Sequence, residues 1–150
     1  MNTKIRKAKK SDSKEITRLI KELAEFEKLT PPDVQSQKRL LRNAFGKNCI
    51  LNILVAEKNN LLVGYAFYFF TYSTFLAKRT LFLEDIYIMK KYRNKGIGKL
   101  FFDKLIQTAK EKKCGRMEWI VLDWNKNAIN FYEKLGARQM KEWKFFRKEL

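Results

Sequence analysis

The sequence predicts an α/β (α+β) fold in a single domain over residues 1–150: a mixed, mostly antiparallel, twisted sheet of about six to seven strands with about four helices. Three observations predict it. Runs of β-branched and aromatic residues, each of strand length, are interspersed with segments whose apolar residues recur every three to four positions. A Lys58-Asn59-Asn60 turn joins two of those runs as a hairpin, which requires antiparallel pairing. A strand, a helix and a strand over residues 80–122 form a βαβ unit, for which a right-handed parallel crossover is expected. With 150 residues, 45% of them hydrophobic, the chain has material for one core.

Each element has its own local reason. Residues 3–8 alternate weakly and read as a short first strand. Asp12-Ser13-Lys14-Glu15 has capping-box spacing, and Ile16, Leu19, Ile20, Leu23 and Ala24 follow at helical spacing, predicting a helix to about residue 29 before Pro31-Pro32. A second helix is expected over 33–45, ending at Gly46. Strands are expected at 50–57, 61–71 and 80–89, the last interrupted only by Glu84-Asp85. A helix with Ile97, Phe101, Leu105 and Ala109 on one face comes next, then a strand at 117–122 and a helix at 127–135 stopped by Gly136. Residues 137–149 read as one or two final strands, giving the order β-α-α-β-β-β-α-β-α-β(-β).

Composition excludes several chemistries. The chain has no histidine, which removes Ser-His-Asp and Cys-His nucleophiles and the usual metal ligands. Acid–base work must fall to Glu, Asp, Tyr, Lys or Cys. Cys49 and Cys114 lack metal or redox spacing and read as two buried, free thiols. No run is long and apolar enough to span a bilayer and the first residues lack a signal-peptide core, so no membrane association and a cytoplasmic location are expected. The net charge is +17, carried by 24 Lys and 9 Arg spread along the chain. Dispersed lysine reads as solvated surface, and it suits a phosphate-bearing ligand.

The segment with the most chemical content is Lys90-Lys91-Tyr92-Arg93-Asn94-Lys95-Gly96-Ile97-Gly98, where a strong strand meets an amphipathic helix. Gly-x-Gly lets backbone amides face outward, the helix start adds free N–H groups and a positive dipole end, and Arg93, Lys95 and Lys99 add charge. It is not a Rossmann fingerprint, because Phe101 stands where the third glycine belongs, nor a Walker A loop, because the upstream glycine and the Ser/Thr are missing. On these residues alone, a pyrophosphate cradle and a plain glycine turn both stand.

Arg93-x-x-Gly96-x-Gly98 resembles the (Gln/Arg)-x-x-Gly-x-(Gly/Ala) motif of the GNAT superfamily of N-acetyltransferases. The stretch from Asn125 through Ala128, Phe131 and Tyr132 to Gly136 is similar to that family's second signature. Residues 18–27, 64–72 and 83–89, with Trp124-Asn125, resemble the spermidine/spermine (diamine) branch, which also holds enzymes acting on thialysine and other small amines. The resemblance covers nearly the whole chain. It implies acetyl-CoA as co-substrate, no metal, a small-molecule amine as acetyl acceptor attacked directly in a ternary complex, and a homodimer.

The resemblance also assigns roles. The backbone of Ile86, Tyr87 and Ile88 would lie along the cofactor's pantetheine arm, on a strand that splays from its neighbour. Arg93, Asn94, Lys95, Gly96, Ile97, Gly98 and Lys99 would take its pyrophosphate, and Asn125 and Ala128 would flank its far side. Tyr132 matches the family's general acid; by spacing alone it reads as one more core aromatic beside Phe131. A tyrosine suits the role because its ordinary pKa, about 10, lies not far above a thiol's, about 8.5. Glu84 matches a glutamate beside the substrate amine; the other reading is a salt-bridged strand residue, on the face opposite Asp85. Phe26 and Glu27 match a substrate-lining pair, and Glu142 an acidic contact from the C-terminal strands. A charge of +17 disfavours long polycations unless Glu25, Glu27, Asp33 and Glu84 make the pocket locally acidic. Acetylation of protein or peptide amines is the alternative reading. A non-catalytic nucleic-acid-binding module rests on charge alone and lacks any recognised motif, so no nucleic-acid partner is expected.

Overall fold

The computed structural model describes residues 2–150. Contacts divide the chain into a larger unit ending at Ile120 and a smaller one, Val121–Leu150. The larger unit holds β1 (Lys4–Lys7), α1 (Ser13–Glu27), α2 (Val34–Phe45), β2 (Asn52–Lys58), β3 (Leu61–Ser73), β4 (Lys78–Ile88), α3 (Ile97–Glu111) and β5 (Arg116–Trp119). The smaller holds α4 (Lys126–Lys134). The five strands form one sheet in the order β1-β2-β3-β4-β5; the first three pairings are antiparallel and β4–β5 is parallel. The expected hairpin is β2–β3, and both Asn59 (φ 53°) and Asn60 (φ 60°) take the left-handed conformation that a tight two-residue hairpin turn requires.

Helices cover both faces of the sheet. Ile16, Leu19 and Leu23 of α1 pack with Ile53, Val55, Tyr65, Phe67 and Tyr87 on one face, with Leu40, Ala44 and Phe45 of α2 against the same cluster. On the other face α3 buries Ile97, Phe101, Phe102 and Leu105. Phe102 meets Trp119 of β5 edge-on at 5.2 Å, and Thr108 of α3 meets the Tyr68 hydroxyl. Burying a side chain of this size contributes roughly 1.5–3 kcal/mol, so these two helical layers stabilise the sheet from both faces.

A β-bulge in β4 decides what faces α1. Tyr68 pairs with Leu83 but Phe67 pairs with Asp85, leaving Glu84 as the extra residue. Strand residues two apart ordinarily share a face. Across the bulge they do not: Leu83 sits on the α3 side with Tyr68, whereas Asp85 and Tyr87 sit on the α1 side with Phe67 and Tyr65. The regular alternation that would set Glu84 and Asp85 on opposite faces is broken at this point.

Several expectations are corrected. Asp12 does not cap α1 through its side chain. Its carboxylate accepts from the Lys9 N–H at 2.7 Å and from Arg6 at 2.8 and 3.1 Å, so residues Lys10–Asp12 make a 3-10 turn instead. The paired guanidinium holds the Asp12 carboxyl below its usual range. Helix α1 stops at Glu27 rather than residue 29, because Lys28 turns left-handed (φ 58°) and the Leu29 N–H bonds back to Ala24. The sheet has five strands among the described residues, not six to seven. In the smaller unit, residues 137–149 hold one turn, at 141–142, where Trp143 N–H meets Met140 O at 3.2 Å, and no ladder. Apolar side chains favour a strand, but only a paired edge makes one. Cys49 is exposed and Cys114 half-buried, so the thiols are free but not core.

Candidate functional site

The site begins where β4 parts from β5. Their pairing ends at Leu83 with Trp119, yet β4 runs on to Ile88. From Glu84 onward β4 has β3 on one edge and no strand on the other among the described residues. Ile86, Tyr87 and Ile88 lie on this stretch. Backbone groups along such an edge can pair with an extended amide-bearing ligand.

Beyond β4, a 3-10 turn at Lys90–Tyr92 leads into the loop. Asn94 (φ 59°) and Gly96 (φ 79°) are both left-handed, which sets Gly96 as the N-cap of α3. No side chain caps this start, and the first helical bond is Leu100 N–H to Gly96 O at 3.1 Å. Ile97, Gly98 and Lys99 therefore present the orphan amides of a fifteen-residue helix. That arrangement fits an anion. Lys99 is paired with Asp103 at 2.7 Å, whereas the Lys95 ammonium lies 5.6 Å from the Tyr92 ring centroid. Arg93 departs from expectation. Its Nε donates to Ile88 O at 2.8 Å, and its guanidinium lies 4.8 Å from the Phe26 ring and 5.5 Å from Tyr87. The side chain ties the loop to β4 and α1 instead of projecting toward the orphan amides.

Acidic groups collect at the bulge. Glu84 is exposed. Asp85 is largely buried, and burial, with the charges of Glu84 and Glu27, pushes its carboxyl up to about 6. Burial also raises Glu27, at the end of α1. The Tyr65 hydroxyl is fully buried without a hydrogen-bond partner among the described residues, and the charges of Asp85 and Glu27 help to raise its pKa. Phe26 and Glu27 are thus brought to the same side of the sheet as Asp85, while Asp33 is spent capping α2 through the Ser36 N–H at 2.7 Å. Sequence reasoning missed Asp85. The available signal was a second carboxylate inside an otherwise apolar strand; the bulge that turns it inward left none.

In the smaller unit, Asn125 caps α4 by accepting from the Ala128 N–H at 3.3 Å, so these two residues are locked together. Tyr132 is half-buried beside Phe131, with ring centroids 5.6 Å apart. Gly136 (φ 86°) closes the helix in the left-handed conformation. Glu142 is exposed and lies 3.7 Å from Arg138. Among the described residues no group of three His, Cys, Asp or Glu side chains is placed to hold a metal ion.

The sequence profile of the acetyltransferase (GNAT) family matches residues 15–137. The chain belongs to that family. The acetyltransferase is 43% identical to the thialysine N-epsilon-acetyltransferase of Mus musculus, over 99% of this chain and 93% of that protein. It is 38% identical to the human spermidine/spermine N(1)-acetyltransferase-like protein 1, over 95% of this chain but 22% of that longer protein. Among solved structures, AAC(6')-Iy in complex with the bisubstrate analog CoA-S-monomethyl-acetylneamine superposes with a TM-score of 0.78 over 100% of both chains. At 20% identity that likeness is one of fold.

Proposed function

We propose that this acetyltransferase moves an acetyl group from acetyl-CoA to the primary amine of a small molecule, a thialysine-like amino acid or a diamine. The observation that carries the reading is the unpaired edge of β4, followed by a turn and a loop that end in an uncapped helix start, with a largely buried carboxylate on the strand. The similarity to thialysine and spermidine/spermine-type relatives supports the acceptor class.

In this reading the amides of residues 96–99 hold the pyrophosphate and the backbone of Ile86, Tyr87 and Ile88 holds the pantetheine arm. Asn125 and Ala128 flank it. Bound acetyl-CoA supplies a thioester. Phe26, Glu27, Glu84 and Asp85 receive the amine, and the family resemblance assigns Glu142 an acidic contact as well. An ammonium has no lone pair, so its proton first passes to a carboxylate, directly or through water. The amine nitrogen then attacks the carbonyl carbon, the carbon–sulfur bond breaks, the Tyr132 hydroxyl donates its proton to the departing sulfur, and the nitrogen gives up its second proton, through water, to the tyrosinate so formed, leaving the neutral amide. Asp85 suits the first step better than Glu84 alone, because a carboxyl near 6 accepts a proton at neutral pH more readily than an ordinary one.

The working assembly in this reading is a cytoplasmic homodimer. Exposed Trp143, Phe145 and Phe146 support the dimer, being the apolar surface a second copy would cover. No described helix is long and apolar enough to cross a membrane. Release of free thiol from acetyl-CoA in the presence of small amines tests the activity; cofactor binding without thiol release from any of them would refute it.

A further inference from the structure

Tyr65 of β3 is fully buried, and its hydroxyl has no hydrogen-bond partner among the described residues. Its ring meets Phe67 edge-on at 5.3 Å and Tyr87 at 6.3 Å. A phenylalanine ring would make the same contacts, so the hydroxyl adds nothing to the packing, and an unmet buried hydroxyl destabilises a fold. The strand register sets this group beside Asp85. Tyr65 stands opposite Tyr87 and Phe67 opposite Asp85, so Tyr65 and Asp85 are diagonal neighbours on the α1 side of the sheet. Diagonal positions are about 7–8 Å apart, within reach of an aromatic side chain. Of the charges that act on the Tyr65 hydroxyl, that of Asp85 is the largest, ahead of Glu27.

The Asp85 carboxylate is the matching half. Burial and two like charges bear on it, Glu84 beside it on β4 and Glu27 on α1, and no hydrogen bond to the carboxylate counters them among the described residues. Other groups on this face are committed elsewhere. Tyr87 donates to Glu22 of α1 and packs against Arg93, and Arg18 is paired with Glu15 and Glu22. Burial holds Tyr65 well above its ordinary pKa, so it stays a proton donor at neutral pH. A donor without an acceptor thus lies beside a carboxylate without a donor.

We propose that Tyr65 is a positioning residue for acetyl transfer: its hydroxyl donates to the ionised Asp85 carboxylate, directly or through one water, and sets the pH at which Asp85 accepts the proton of the incoming amine. The inference rests on the reading of Asp85 as that acceptor. A hydrogen bond to a charged carboxylate is stronger than one to the neutral acid, so it opposes the effect of burial and favours the form able to take a proton. It also fixes one carboxylate oxygen and leaves the other for the amine. The proton passes from the ammonium nitrogen to Asp85, and Tyr65 keeps its own.

Carbon-13 NMR of the aspartate carboxyls tests this without turnover; the chain has five aspartates, and Asp85→Asn identifies the signal. In Tyr65→Phe, which keeps the ring and removes only the hydroxyl, the Asp85 titration midpoint rises by about one pH unit. Tyr68→Phe removes a hydroxyl that meets Thr108 on the α3 side of the same strand, and leaves the midpoint in place. The acidic limb of kcat/KM, measured with one acceptor amine, moves with the midpoint, a loss of about ten-fold below the limb and little change above it. The amine's own ionisation is common to every variant and cancels in the comparison. An Asp85 midpoint unmoved in Tyr65→Phe, or moved equally in Tyr68→Phe, overturns this inference and leaves acetyl transfer standing. A midpoint that moves with no matching shift of the limb, or with no turnover of any amine, overturns Asp85 as the acceptor and this inference with it.

Discussion

The Asp85 carboxyl carries the sharpest residue-scale consequence. Its folded pKa, about 6, lies above the ordinary 3.8. A raised carboxyl is fully favourable below the ordinary value and loses stability as pH rises through the folded value. Ionised Asp85 therefore costs up to about 3 kcal/mol at neutral pH, at 1.36 kcal/mol per unit. Asp85→Asn should match the wild type near pH 4 and melt higher at pH 7.5, while its turnover falls at least ten-fold; thermal melts at the two pH values check this, and equal melting at both would show that Asp85 is not desolvated. Gly96 makes a second prediction. An added Cβ would meet nothing within 4 Å, so Gly96→Ala costs only left-handed strain at φ 79°, about 1 kcal/mol, read from the urea midpoint. Tyr132→Phe should lower the maximal rate much more than cofactor affinity, and unchanged turnover would remove Tyr132 from the acid role.

At the scale of elements, Arg93 joins three of them. Its bond to Ile88 O and its packing on Phe26 and Tyr87 connect β4, the loop before α3 and α1, and Tyr87 in turn donates to Glu22 at 3.0 Å. Lysine cannot reproduce a planar group that donates and stacks at once. Arg93→Lys should lose about 1–2 kcal/mol in chemical denaturation; an unchanged midpoint would mean that the tie is incidental. The elements themselves were legible because their periods are strong. Apolar spacing gave α1 and α3, the Asn59-Asn60 pair gave the hairpin, and Gly136 gave the end of α4. What escaped depends on partners far along the chain. Asp12 looked like a cap until Arg6 took its carboxylate. The bulge at Glu84 is a register shift between two strands, which no local pattern records, and with it went the inward turn of Asp85. The tail looked like strands because apolar residues favour them, while the pairing that makes a strand is not written in the tail.

For the whole molecule, charge and assembly set the remaining expectations. A net charge of +17 favours capture of an anionic cofactor and opposes cationic acceptors, so raising ionic strength should slow cofactor association and lower the KM of a dicationic amine. The exposed aromatic tail predicts a sedimenting species of twice the 18.0 kDa chain mass; a monomer at micromolar concentration would remove the dimer from the account. The central claim is acetyl transfer to a small primary amine, and the most direct measurement is thiol release from acetyl-CoA across a panel that includes thialysine, lysine, spermidine and short diamines. Turnover is expected with at least one of these, strongly reduced in Tyr132→Phe and in Asp85→Asn. Saturable acetyl-CoA binding with no thiol released for any amine on the panel would contradict it.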